Sequence, residues 1–92
     1  MEWDVYAGDV RSKIESLEGV EKVYYDKLGN ELSFNIYVHD ENDEILIHSV
    51  AAILWKCETF YHEREWYKDH YVDLDFYPVF INVDKNFRKE MN

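Results

Sequence analysis

Residues 43–67, DEILIHSVAAILWKCETFYHEREWY, form the stretch around which the rest of this chain must be arranged. Leu46, Val50, Ile53, Leu54, Cys57, Phe60 and Tyr61 recur at three- and four-residue steps, which is one face of an α-helix. The stretch contains neither Gly nor Pro. As a helix it would span about 36 Å at 1.5 Å per residue. No other segment is long or apolar enough to floor a core. Residues 44–49 also read as a strand, because Ile45, Ile47 and Ser49 alternate with Leu46, His48 and Val50. The helical period runs unbroken to Tyr61 and favours the helix.

The flanking segments supply a sheet and a second helix. Trp3, Tyr6, Ala7, Val10, Ile14 and Leu17 fall at helical spacing, with Asp4 or Asp9 as N-cap and Gly19 where a C′ glycine belongs. Gly8 interrupts that helix at a cost of about 1 kcal/mol relative to Ala. Residues 20–26 read as a strand and residues 27–30 as a turn. In the strand 32–39, Leu32, Phe34, Ile36 and Val38 face one way, and Ser33, Asn35, Tyr37 and His39 the other. Residues 71–77 alternate again, with Val72, Leu74 and Phe76 inward. Pro78 cannot donate to a central ladder, so it marks an edge, a bulge or the end of the strand, and residues 79–83 read as a further short strand. Residues 84–92 read as a polar tail.

The expectation is a single α+β domain over residues 1–92 with the order α-β-β-α-β(-β). It is a two-layer sandwich, an antiparallel sheet covered on one face by two helices. Residues 13–23, KIESLEGVEKV, resemble the helix–Gly-Val–strand passage of ferredoxin-like domains, including heavy-metal-associated modules. The resemblance implies a ferredoxin-like pattern in general outline. Those modules bind metal through a CxxC ahead of the first helix. That place holds Val5, Tyr6, Ala7 and Gly8 here, so no metal function follows.

Composition bounds the partners. Twenty acids against ten Lys and Arg leave a net charge of −10, which repels phosphate backbones and anionic membranes. Direct binding to nucleic acid or membrane is not expected, and a basic protein is the favoured partner. The bland alternative is that the charge keeps a tyrosine-rich surface soluble. Met1-Glu2-Trp3-Asp4 does not open a signal peptide, and the longest apolar run, residues 50–55, is far short of a membrane span. The chain is expected in the cytoplasm. The one cysteine, Cys57, lies on the apolar stripe and reads as buried and inert.

No catalytic signature is intact. His62-Glu63-Arg64-Glu65-Trp66 lacks the second histidine of a zinc-protease helix. Glu58, His62 and Glu65 share a helix face, which is a metal-ligand spacing and also an ordinary solvated polar stripe. The polar stripe is the stronger reading. Asp73 and Asp75 beside His39 would suit a divalent cation, and they would equally keep a wet strand face soluble.

The best functional signal is aromatic. Eight Tyr and three Trp exceed what a core of this size needs, and such residues favour interfaces. Tyr24, Tyr37, Tyr71 and Tyr77 all alternate onto the open side of the sheet, beside Asp73 and Asp75. Base-stacking sheets also supply Lys and Arg. This one is acidic, so it suits a basic protein surface.

The expected function is a non-enzymatic acidic interaction module of the inhibitor, immunity or regulatory kind, with no cofactor. The alternatives are a divalent-cation-responsive regulatory domain and a structural homodimer. A helix of about 36 Å overhangs a strand of about 26 Å. Its far end, carrying Phe60, Tyr61, Trp66 and Tyr67, is therefore the expected dimer interface.

Overall fold

The computed structural model describes residues 2–84. The expected tail lies outside the described residues, apart from Asp84. The elements run α1 (Glu2–Glu15), β1 (Val20–Leu28), β2 (Glu31–Val38), α2 (Glu44–Glu65) and β3 (Asp75–Asn82). The architecture is α+β: two helices and a three-stranded mixed sheet of order β1-β2-β3. β1 and β2 form the expected antiparallel hairpin. β2 and β3 are parallel, which corrects the expectation of an antiparallel sheet. The reason is the single helix between them. α2 carries the chain back along the sheet, so β3 must start level with the start of β2, and Glu31 pairs with Asp75. This order establishes an α+β sandwich and not the ferredoxin-like pattern.

Asp43 settles the conflict over residues 44–49. Its side chain accepts the Leu46 N–H at 3.1 Å and its carbonyl accepts the Ile47 N–H at 2.9 Å. An N-cap of this kind is worth about 1 kcal/mol. α2 therefore starts at Glu44, and the strand reading fails. α1 runs through both expected caps, Asp4 and Asp9, as one helix. Burial of Ala7, Val10 and Ile14 on either side of Gly8 offsets the glycine penalty. Gly19, with φ of +96°, turns the chain from α1 into β1. Gly29, with φ of +62°, begins the two-residue hairpin turn between Leu28 and Glu31.

The inward residues of β2, Leu32, Phe34, Ile36 and Val38, are fully buried, as their alternation requires. They are the centre of the core. α1 lies over β1 and α2 over β3, and the two helices touch each other above β2. From α2, Leu46, Val50, Leu54 and Tyr61 enter this core. β3 is a single strand that runs through Pro78, where two strands on either side of the proline were expected. Pro78 is tolerated because β3 is an edge. The Asp75 N–H points inward to the Asn30 carbonyl, while that of Phe76 points outward. By alternation, position 78 also faces outward, where no partner strand needs a donor.

Both sheet edges are closed by a helix glutamate. Glu15 of α1 accepts the outward Val23 N–H of β1 at 2.9 Å, and Glu58 of α2 accepts the Phe76 N–H of β3 at 2.8 Å. Each removes one free donor from an exposed edge, where a foreign strand would otherwise pair. No described helix is long and apolar enough to cross a membrane.

Candidate functional site

The sheet face opposite the helices has no covering element among the described residues. Strand register sets its side chains in rows. Lys22, Tyr37 and Ile81 form one row, and Tyr24, Asn35 and Val79 the next. Asp26, Ser33 and Tyr77 follow, then Leu28, Glu31 and Asp75. Tyr24 and Tyr37 meet edge-to-face at 5.8 Å, and the Lys22 ammonium sits 5.9 Å from the Tyr24 ring centre. The Tyr77 hydroxyl donates to Glu31 at 3.4 Å. Tyr24, Tyr37, Tyr77, Val79 and Ile81 are thus spread over the face, with Ser33 and Asn35 between them on the central strand. Asp26, Glu31 and Asp75 gather at one end of it, and Lys22 lies at the other.

Four of the six residues expected to bind a partner, Tyr24, Tyr37, Asp75 and Tyr77, share this face. Leu28, Glu31, Val79 and Ile81 join them and were not foreseen. Their inclusion follows from pairing register, which alternation within one strand does not reveal.

Tyr71 and Asp73 are elsewhere, because residues 71–74 are an irregular crossing from α2 to β3. Tyr71 turns inward and stacks on Tyr61, with centroids 6.0 Å apart. Its hydroxyl meets His62 Nδ1 and donates to Asp73 Oδ1 at 3.4 Å. Burial, then the Asp73 charge, pushes the Tyr71 hydroxyl above the usual tyrosine pKa. Tyr61 donates to the Val72 carbonyl at 2.7 Å, and its hydroxyl too is pushed up, chiefly by burial.

The grouping of Asp73, Asp75 and His39 does not form. Asp75 begins β3 beside Glu31, whereas His39 follows the far end of β2 and contacts Glu21 and Asp84. The two ends lie roughly 23 Å apart at 3.3 Å per residue. Of Glu58, His62 and Glu65 only the first two stay together, with His62 Nε2 3.9 Å from Glu58 Oε1. Glu58 closes the β3 edge, and Glu65 is buried against Tyr6 and Lys68, accepting from each at 2.9 Å. Among the described residues no three His, Cys, Asp or Glu are placed to hold a metal ion.

The expected dimer residues divide. Tyr61 is core, packed by Tyr6, Tyr71 and Phe76, and is lost to any interface. Phe60, Trp66 and Tyr67 remain exposed. The inner side of the helix end is covered by Tyr6 of α1 and by the crossing segment, so only its outer side is open. Cys57 is half-buried in a groove with Lys13, Asp9 and Phe60, and burial pushes its thiol up. A thiol so held is a poor nucleophile.

No protein-family model, no curated protein and no solved structure matches the chain. Its function therefore has to be argued from its surfaces.

Proposed function

We propose that this chain is a non-enzymatic acidic interaction module that docks the open face of its sheet onto a basic protein surface. The observation that carries the reading is the uncovered face itself: a tyrosine and aliphatic surface with Asp26, Glu31 and Asp75 gathered at one end. Rigid aromatic anchors beside charged side chains favour protein recognition. The net charge of −10 would steer a cationic partner and repel nucleic acid. Glu15 and Glu58 each take one outward N–H, of Val23 and Phe76, which makes strand addition less favourable at those points and leaves the face as the larger open surface. The Cys57 environment argues against thiol catalysis.

The test is affinity capture from the native host, with wild type and a Tyr24→Ser, Tyr77→Ser double variant side by side. A basic protein retained by the wild type, lost with the variant and released as salt rises is the expected result. For that partner, Asp26→Asn with Asp75→Asn should lower the association rate several-fold at low salt, because the acidic end steers the encounter. The difference should narrow as the screening length shortens to about 8 Å at physiological ionic strength. Equal retention by the double variant, or a salt-independent association rate, overturns the reading.

A further inference from the structure

α2 carries a second stripe that its own chain does not use. Ile45, His48, Ala52, Trp55 and Thr59 recur at three- and four-residue steps and Trp66 follows two turns later, on the side opposite Leu46, Val50, Leu54 and Tyr61. Ile45 is 81%, Trp55 71%, Trp66 67% and Tyr67 66% exposed.

We propose that this solvent face of α2 pairs with α2 of a second copy of the chain, antiparallel about a two-fold axis beside Thr59. The proposal concerns the helix layer and does not depend on the sheet reading. Area is its first support. Trp55, Trp66 and Tyr67 expose about 400 Å² per copy, taking 150–250 Å² for each whole aromatic side chain. Two copies bring about 800 Å² of aromatic surface together, and Ala52, Lys56, Thr59 and Glu63 beside them carry the contact toward the ~1,000 Å² a specific interface needs.

Charge selects the occupant. The exposed charges on this face around Thr59 are Lys56 and Glu63, one of each sign, in a chain of net charge −10; Arg64 lies on the α1 side, over the Phe60 ring. This face is therefore the place where two copies can approach without acid facing acid. A basic partner would gain nothing from it. Orientation follows from the same charges. An antiparallel pair holds the acidic loops at residues 40–44 at opposite ends, whereas a parallel pair would set them side by side. An axis between Thr59 and Phe60 brings Lys56 opposite Glu63 of the second copy, twice. Ala52 leaves room for Tyr67. An isologous contact of this kind closes as a dimer.

Sedimentation equilibrium decides. The wild type should be dimeric at tens of micromolar. Trp55→Glu and Trp66→Glu should be monomeric with unchanged far-ultraviolet circular dichroism, since neither side chain enters the core. Lys56→Glu and Glu63→Lys should each weaken association at least tenfold, and together restore it. That rescue keeps the test valid if a tryptophan variant fails to fold. A wild-type monomer at several hundred micromolar overturns the proposal. So does a dimer that survives Trp55→Glu but is lost with Tyr24→Lys, and so does failure of the charge swap to rescue. Capture of a basic partner by monomeric Trp55→Glu would leave the sheet reading standing alone.

Discussion

Replacing Glu65 with Leu tests how the two helices are fastened at their shared end. Glu65 is 5% exposed, and its carboxylate accepts the Tyr6 hydroxyl and the Lys68 ammonium, each at 2.9 Å. One side chain at the end of α2 thus ties down α1 and the crossing to β3. A hydrogen bond to a charged group contributes about 1.5–3 kcal/mol, so the two bonds set an upper bound of about 3–6 kcal/mol. Two effects reduce it. Tyr6 and Lys68 are both partly exposed, so water can replace the lost acceptor. The buried leucine also returns about 1 kcal/mol of apolar transfer. The expected net loss is about 2 kcal/mol. For a domain of this size that is a fall in melting temperature of roughly 8–16 °C. Tyr6→Phe alone should cost about 1 kcal/mol. In a double-mutant cycle with Glu65→Leu it should show clear coupling, because the two side chains share one bond. The assay is thermal and urea unfolding of all four proteins. A Glu65→Leu protein melting within 2 °C of wild type, or a coupling energy of zero, would refute the reasoning. The carboxylate would then be merely accommodated at that helix end.

Two further outcomes follow. Tyr6, Tyr61 and Tyr71 hold their protons above the ordinary value of 10.0, and Cys57 above 9.0, each mainly through burial. Above about pH 9 the unfolded chain therefore binds fewer protons than the folded one. Their contribution to stability is complete below that pH and is lost as pH rises through the raised folded values. Urea titrations from pH 7 to 11 should show a falling limb that Tyr61→Phe makes shallower, and an unchanged limb would contradict the burial argument. Glu58→Ala should free the Phe76 N–H at the β3 edge and cost about 1–2 kcal/mol, and it should raise aggregation on prolonged incubation relative to an exposed control such as Glu18→Ala. Equal light scattering from the two variants would show that the β3 edge needs no cap.

Short-range pattern carried much of this protein. The three- and four-residue steps of α2, the strict alternation of β2 and the turn at Gly29-Asn30 are properties of neighbouring residues. Each survives whatever the rest of the chain does. The inward residues of β2 were legible for the same reason: one buried face leaves only one register for Leu32, Phe34, Ile36 and Val38. The parallel pairing of β3 was legible in principle, since one helix between two strands returns the chain to its starting end. Alternation over 71–77 suggests a strand, of which the tertiary fold keeps only residues 75–77, as the start of β3. Over 71–74 the chain crosses from the end of α2 to the start of β3, and it spends Tyr71 and Asp73 on that crossing. Tyr61 was counted as surface because a helix end looks free in one dimension. In space it meets Tyr6, some 55 positions earlier in the chain. The glutamates that close the sheet edges gave no sequence signal at all, because Glu15 and Glu58 look like any solvated helix acid until a strand edge lies beside them. Periodicity reports which face of an element is apolar. What meets that face, and which polar atoms need a partner there, depends on contacts between distant parts of the chain, and only the folded structure brings those together.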